Sequence, residues 1–166
     1  LMEAYVKGVI LDLRNKSGGS LNDVVQMTGL FIEDGPIVQV KGRDAAPYVL
    51  KDKDEKVVYT GPLVVMVNTQ SASASEILAA AIQDYGRGVI VGSRSTFGKG
   101  TVQRFFDLDK TISGFDEFKP LGDVKITLQK FYRVNGGSTQ LKGVTPDINL
   151  PDNQQYIASG EKDTAY

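Results

Sequence analysis

The stretch Asn68-Thr-Gln-Ser-Ala-Ser-Ala-Ser-Glu-Ile77 separates a strand pattern from a helix pattern. The apolar run at residues 62–67 is typical of a buried strand, and residues 77–85 are typical of a helix. Ser73 is therefore predicted near a helix N-terminus, where free backbone N–H groups can bind an anion. That position suits a nucleophile. Ser73 followed three residues later by Glu76 also fits a capping box, which is a purely structural device.

The patterns on either side of this stretch predict an α/β fold. Residues 9–13 form a short apolar strand, which leads into a turn-rich loop and then into a helix at residues 21–32 with Ser20 as its cap. Residues 88–92 form another buried strand after the helix that follows Ser73. Two such strand–helix–strand successions predict a mostly parallel sheet flanked by helices.

Other segments alternate between apolar and polar residues, as strands with one buried face do. They lie at residues 36–41, 101–106 and 123–134. The last of them runs into Asn135-Gly-Gly137, a hairpin turn signal near the C-terminus. Residues 42–61 are polar and include a run of mixed charges, which indicates a solvated turn.

Composition excludes several classes of function. The 166 residues suffice for one domain, and the net charge of −1 gives no indication of binding to nucleic acid or to an anionic membrane. No apolar run is long enough for a transmembrane segment. The absence of Cys and His excludes a disulfide, a serine–histidine–aspartate triad and the commonest zinc sites. A magnesium or calcium ion bound by carboxylates stays open, but no loop has a suitable density of acids, so we expect no metal or cofactor. A base for nucleophilic catalysis must then be a Lys, a carboxylate or an N-terminal amine.

Lys99 is the second candidate for chemistry. Gly98 and Gly100 on either side let the backbone pass close to another group. A lysine can act as a base near neutral pH only if burial away from acids lowers its pKa. Gln103, four residues on, lies on the same side in a strand or a helix and can hold a neutral amine. The alternatives are that Lys99 binds an anionic ligand or is an ordinary loop lysine.

The turn Ser17-Gly18-Gly19-Ser20 is the third candidate. Two glycines at a strand-to-helix turn can present backbone N–H groups at the carboxyl edge of the sheet. They can stabilise an oxyanion, bind a phosphate, or simply let the chain turn. The spacing fits neither a phosphate-binding P-loop nor the dinucleotide fingerprint.

Five motifs occur together and in order, and jointly they carry a family resemblance. They are Leu11-Asp-Leu-Arg-Asn-Lys-Ser-Gly-Gly19, Ser71-Ala-Ser-Ala-Ser-Glu-Ile77, Asp84-Tyr-Gly-Arg87, Thr96-Phe-Gly-Lys-Gly-Thr-Val-Gln103 and Gly143-Val-Thr-Pro-Asp147. The set resembles the C-terminal processing peptidases, a family of serine–lysine proteases, over roughly residues 8–151. Residues 129–139 resemble its tail-specific branch in particular, whereas the loop at residues 93–96 is one residue longer than is usual in the family.

The resemblance implies a role for each candidate. Ser73 matches the nucleophile, Lys99 the general base, and Gln103 the residue that orients the base. The oxyanion hole is implied at the backbone N–H groups of Ala74, Gly18 and Gly19. The implied reaction is peptide cleavage through an acyl-enzyme.

The resemblance also implies a fold and a setting. The fold is a crotonase/Clp-protease-like core with a mostly parallel sheet flanked by helices, plus a β-hairpin near the C-terminus. We expect residues 1–151 to be a partial catalytic domain, without its N-terminal part and without the PDZ domain, and residues 152–166 to be a polar linker or tail. The implied substrates are proteins selected by their C-terminal segments in the bacterial periplasm, and the fragment itself is expected to be inactive or feeble.

Two other functions fit the same residues. A crotonase-like enzyme would use the fold and the oxyanion donors on an acyl thioester without a serine nucleophile. A non-catalytic peptide-binding domain would use Ser73 only as a helix cap.

Overall fold

The computed structural model describes residues 6–54, 56–154 and 156–164, in which eight strands form two sheets. The first sheet is entirely parallel with the order β1-β4-β5-β8, and its strands are β1 (Val9–Asp12), β4 (Leu63–Val67), β5 (Val89–Gly92) and β8 (Ile148–Asn149). The second sheet is antiparallel with the order β3-β2-β7-β6, and its strands are β2 (Val38–Gly42), β3 (Tyr48–Leu50), β6 (Thr101–Asp107) and β7 (Asp123–Tyr132).

Two helices pack against each other beside the parallel sheet. They are α1 (Leu21–Gly29) and α2 (Ala74–Asp84). Short helical turns follow at α3 (Leu108–Thr111), at a 3-10 turn (Asp116–Phe118) and at α4 (Glu161–Thr164). Among the helices of the described residues, none has the length and apolar character needed to cross a lipid bilayer.

The predicted α/β class and the parallel sheet flanked by helices are confirmed. Ser20 caps α1 as predicted, because its hydroxyl accepts the Asp23 N–H at 3.3 Å. One detail differs: β1, α1 and β2 do not form a parallel unit, since β2 joins the second sheet and β4 is the parallel neighbour of β1. The prediction of a solvated turn at residues 42–61 was wrong for β3, a strand of three residues within that segment. Its residues Tyr48 and Val49 are exposed, so the strand is held by its pairing with β2 more than by burial of these side chains.

One hydrophobic core joins the two sheets and the two long helices. It includes fully buried residues of the parallel sheet, of α2 and of the second sheet: Val65, Ile90, Leu78, Ile82, Val40 and Phe131. Burying each large side chain of this kind contributes about 1.5–3 kcal/mol. The core therefore fixes α2, which begins at the candidate nucleophile, against both sheets.

A largely buried ion pair also links α2 to the second sheet. Arg133, just after β7, donates to both carboxylate oxygens of Asp84 at 2.7 and 3.1 Å. Its Nη2 also donates to Gln83 Oε1 at 2.9 Å, and Asn135 Nδ2 donates to Asp84 at 3.0 Å. These contacts tie the end of α2 to the second sheet.

The parallel pairing of β1 with β4 determines where the candidate residues meet. Asp12 at the end of β1 lies opposite Met66 near the end of β4. The loops that follow these two strands therefore leave the sheet at the same carboxyl edge. One loop carries Gly18 and Gly19, and the other carries Ser73.

Candidate active site

The three serines of the motif at residues 71–75 have different surroundings. Ser71 is fully buried, and its hydroxyl donates to the Leu13 carbonyl at 2.9 Å. The Ser75 hydroxyl donates to the Lys16 carbonyl at 3.1 Å. Both side chains thus bind the loop that follows β1, residues 13–20, which we call the β1 loop. Ser73, in contrast, is half-buried at the wall of an open cleft.

Ser73 has a backbone conformation that is unusual for a residue other than glycine. Its φ is 56° and its ψ is −111°, immediately before the first residue of α2. Such a conformation costs on the order of 1–3 kcal/mol and persists only where surrounding contacts hold it. Here Glu76 Oε2 accepts the Ser73 N–H at 2.8 Å, which is the glutamate half of the predicted capping box. In the other half of a capping box the serine hydroxyl accepts the Glu76 N–H. Here the Glu76 N–H bonds to the Ser73 carbonyl at 2.9 Å instead, and the Ser73 hydroxyl forms no cap hydrogen bond.

Hydrogen bonds hold the β1 loop and the Ser73 loop together. The Lys16 carbonyl accepts the Ala72 N–H at 2.9 Å. Asn15 and Asn68 pair reciprocally, since Asn68 Oδ1 accepts the Asn15 N–H at 3.0 Å and Asn68 Nδ2 donates to Asn15 Oδ1 at 2.8 Å. These hydrogen bonds join the two loops to each other beside Ser73.

The double glycine lies directly against Ser73 and Ala74. A Cβ atom placed on Gly18 would lie 3.3 Å from Ser73 Cβ, and one on Gly19 would lie 3.8 Å from Ala74 Cβ. Gly18 has a φ of 141°, which side-chain-bearing residues rarely adopt. Within the part of the chain that the structure describes, the N–H groups of Gly18, Gly19 and Ala74 donate to no protein acceptor. All three donors are thus available to a ligand beside Ser73.

Lys99 and Gln103 lie at the same cleft, at the start of the second sheet. Lys99 Nζ donates to Gln103 Oε1 at 3.1 Å, and Gln103 Nε2 donates to Thr127 Oγ1 on β7 at 3.2 Å. The amide therefore presents its oxygen to the amine and is itself oriented by the neighbouring strand. Within the described residues, no hydrogen bond joins Lys99 Nζ to Ser73 Oγ; catalytic hydrogen bonds are often long in unliganded sites and shorten when substrate binds.

Glu76 connects the loop that carries Ser73 (residues 68–73, the Ser73 loop) to the loop that carries Lys99 (residues 93–100, the Lys99 loop). Its side chain is fully buried, Oε2 accepts the N–H groups of Ser73 and Lys99, and Oε1 accepts the Gly98 N–H at 2.7 Å and the Thr96 hydroxyl at 2.5 Å. Burial raises the pKa of the Glu76 carboxyl above its ordinary value, and the four donors oppose that rise. One buried carboxylate thus holds the backbone of both candidate catalytic residues.

The Lys99 loop is also held by a segment that follows it in the chain. Gln140 Oε1 accepts the Gly100 N–H at 2.7 Å, and the Gly98 carbonyl accepts the Leu141 N–H at 2.7 Å. A Cβ atom on Gly100 would lie 2.7 Å from the Gln140 nitrogen. The glycines around Lys99 therefore serve a close approach of two backbone segments.

The six residues predicted for the site line one cleft of about 500 Å³. They are Ser73, Ala74, Gly18, Gly19, Lys99 and Gln103. Apolar side chains of Leu21, Ile77, Val102 and Phe131 form much of the remaining wall, and Lys125 is exposed at the cleft. Across residues 6–54, 56–154 and 156–164, no group of three or more carboxylate, histidine or cysteine side chains is placed to hold a metal ion.

The sequence did not predict the connecting role of Glu76 or the contact of Thr127 with Gln103. Glu76 is the one charged residue within the apolar and small residues 71–82, and that isolation is a signal of a buried acid with several donors. No comparable signal marks Thr127, because its contact depends on the pairing of β6 with β7.

Comparison with known proteins gives consistent matches. The model of peptidase family S41 matches residues 1–150. A tail-specific protease of Haemophilus influenzae is 52% identical over 152 residues, which cover 88% of this chain and 21% of that protein. A carboxy-terminal-processing protease of Bartonella bacilliformis is 38% identical over 149 residues, which cover 86% of this chain and 31% of that protein. The chain thus spans about a fifth to a third of the length of these two relatives.

A solved structure agrees with these matches. The photosystem II D1 C-terminal processing protease superposes with a TM-score of 0.70 at 32% sequence identity. The match covers 87% of this chain and 35% of that one.

Proposed function

Because the chain belongs to peptidase family S41, we propose that it forms the catalytic core of a serine protease with a Ser73–Lys99 dyad. Ser73 is the nucleophile, Lys99 the general base, and Gln103 the group that orients the base. The backbone N–H groups of Ala74, Gly18 and Gly19 form the oxyanion hole. One such donor is typically worth about 3–4 kcal/mol of transition-state stabilisation.

The reaction proceeds in two stages. Neutral Lys99 takes the proton of the Ser73 hydroxyl while Oγ attacks the peptide carbonyl carbon, and the resulting oxyanion binds the free N–H groups. The protonated Lys99 then gives its proton to the leaving amine, the C–N bond breaks, and an acyl-enzyme remains. In the second stage Lys99 takes a proton from water while the water oxygen attacks the acyl carbon. The bond between the acyl carbon and Ser73 Oγ then breaks, Lys99 returns the proton to Oγ, and the carboxylic acid product leaves.

The observation that carries this proposal is the surroundings of Ser73. Ser73 lines the cleft together with Lys99 and Gln103, while the hydroxyls of Ser71 and Ser75 donate to backbone carbonyls. Its backbone is held at φ 56° beside three N–H groups that have no protein acceptor in the described part of the chain. A helix cap alone requires neither feature.

The proposal extends to substrate and location. We propose protein substrates selected by their C-terminal segments and a place in the bacterial periplasm, in keeping with the resemblance to C-terminal processing peptidases. The 166 residues alone are expected to cleave poorly, since they span 21% of the Haemophilus relative and 31% of the Bartonella relative.

Covalent trapping tests the proposal. A serine-reactive acylating probe is added to the intact protein, and peptide mass spectrometry locates the adduct. We expect the adduct on Ser73, no adduct in Ser73→Ala, and loss of peptide cleavage in both Ser73→Ala and Lys99→Ala. Peptide binding without cleavage or adduct supports the binding-domain alternative, and turnover of an acyl thioester by Ser73→Ala supports the crotonase-like one.

A further inference from the structure

A second cavity, of about 390 Å³, adjoins the candidate dyad. It shares Ser17, Lys99 and Gln103 with the Ser73 cleft. Its remaining wall is formed by Gln70, Ala72, Phe97 and Glu161. We call it the Glu161 pocket. Because it borders the base and the residue before the nucleophile, a substrate side chain that enters it lies close to the scissile bond.

Two hydrogen bonds hold Glu161 in the wall of this pocket, one from its backbone and one to its side chain. Its backbone N–H donates to the Phe97 carbonyl at 2.8 Å, two residues before Lys99. Its carboxylate accepts one hydrogen bond, from Gln140 Nε2 at 3.4 Å. Gln154 in the same segment accepts from Gln70 Nε2 at 3.3 Å. The backbone of Glu161 is thus bonded to the loop that carries Lys99, and its carboxylate is held by Gln140.

Glu161 forms no ion pair with the described residues, although Lys99 lies in the same pocket wall and Lys162 follows it in the chain. Among the residues that the structure describes, no Lys or Arg nitrogen lies within 4.0 Å of its carboxylate. Lys99, the other charged residue of the pocket wall, directs its Nζ to Gln103. Lys125 lies at the Ser73 cleft and Glu76 is buried, so neither of them lines the Glu161 pocket. Glu161 is therefore the one carboxylate among the described residues that line this pocket, and it has no ion-pair partner there.

The other lining groups fit the remainder of a basic side chain. The half-buried Phe97 offers an aromatic ring for an aliphatic stem or a guanidinium plane. The Gln70 and Gln103 side chains and the Ser17 hydroxyl offer polar contacts at the rim. A half-buried carboxylate beside an aromatic ring is suited to Arg or Lys and repels acidic side chains.

We propose that the Glu161 pocket is a substrate subsite for a basic side chain, and that Glu161 is its specificity-determining residue. The inference rests on the proposed function, because it concerns the peptide that Ser73 attacks. It adds a preference for Lys or Arg at one position near the scissile bond.

A peptide library tests the subsite in the intact protein. Each position around the scissile bond is fixed in turn as Lys, Arg, Gln or Glu, and kcat/KM is measured for each set. We expect one position at which Lys and Arg exceed Gln by about tenfold and Glu falls below Gln. Glu161→Gln should abolish this preference, so that the ratio of kcat/KM for the Lys or Arg peptides to kcat/KM for the Gln peptides falls to about one, whereas Glu161→Lys should favour Glu at that position. Glu117→Gln, which removes an exposed charge elsewhere, should leave the preference intact.

The outcomes separate this inference from the proposed function. Cleavage of the Gln peptides with no charge preference at any position overturns the subsite and leaves the protease intact. An equal loss with every peptide in Glu161→Gln, accompanied by a shifted pH profile, shows that Glu161 acts on Lys99 and also overturns the subsite. If no peptide is cleaved, binding of the same peptides to Ser73→Ala still decides the subsite, since it must show the same preference for Lys and Arg.

Discussion

Glu76 Oε2 accepts the backbone N–H of Lys99 at 2.9 Å, from a position on the first turn of the helix that begins beside Ser73. The same oxygen accepts the Ser73 N–H at 2.8 Å. The distance between the candidate nucleophile and the candidate base is therefore governed by one buried carboxylate, and the two loops cannot move independently of it.

Replacement of Glu76 by Gln should change how stability depends on pH. Burial raises the pKa of Glu76, so the folded protein binds this proton more tightly than the unfolded chain. Its contribution to stability is fully present below the ordinary pKa of 4.5 and is lost as the pH rises through the raised pKa. The free energy of unfolding of the wild type minus that of Glu76→Gln should therefore fall as the pH rises from about 4 to 8, measured by urea titration. A difference that grows with pH would mean that the four hydrogen bonds outweigh burial.

Gly18→Ala should impair turnover more than Gly19→Ala. A Cβ atom on Gly18 meets Ser73 Cβ at 3.3 Å, and the φ of 141° strains any side-chain-bearing residue. A Cβ atom on Gly19 meets Ala74 at an ordinary 3.8 Å. A displacement of about 1 Å at a catalytic group can cost about 100-fold, so we expect kcat to fall about 10- to 100-fold in Gly18→Ala and less than about threefold in Gly19→Ala. Steady-state peptide kinetics on both variants decide this, and equal effects would contradict the assigned packing.

Thr127→Val should weaken the orientation of Gln103. Without the Thr127 hydroxyl, the Gln103 amide loses the contact that presents its oxygen to Lys99. We expect Gln103→Ala to lower kcat about 10- to 100-fold and Thr127→Val to lower it by a smaller factor, with KM little changed in both. Additive effects in the double variant would show that the two residues act separately.

The ion pair between Arg133 and Asp84 should matter more for stability than an exposed pair. The two side chains retain only 18% and 9% of their exposure, so Arg133→Ala leaves a buried carboxylate without its cation and should cost about 3 kcal/mol. Lys51 and Asp34 pair at 3.1 Å with 56% and 65% exposure, and Lys51→Ala should cost less than about 0.5 kcal/mol. Urea unfolding measures both values, and similar losses in the two variants would contradict this assignment.

Local sequence patterns predicted the parallel sheet, the cap at Ser20 and the closeness of Lys99 to Gln103. Each depends on residues that are near in the chain, such as the spacing of four that places the Gln103 amide beside the amine. The antiparallel sheet was predicted only as separate strands, because the pairing of β2 with β7 joins residues that no local pattern connects. The four hydrogen bonds of Glu76 could not be predicted for the same reason, since three of their donors lie on the Lys99 loop.

The anchors of the Lys99 loop have a consequence for biosynthesis. Gln140 follows Gly100 by 40 positions, and Thr96 is held by Val144, so both anchors leave the ribosome after the loop that they position. Ser73 and its helix emerge earlier still. While the chain is being made, the candidate nucleophile Ser73 therefore exists before the candidate base Lys99 has been placed. If the proposed mechanism holds, cleavage at this site must wait until Gln140 and Val144 have been synthesised and have folded against the loop that carries Lys99.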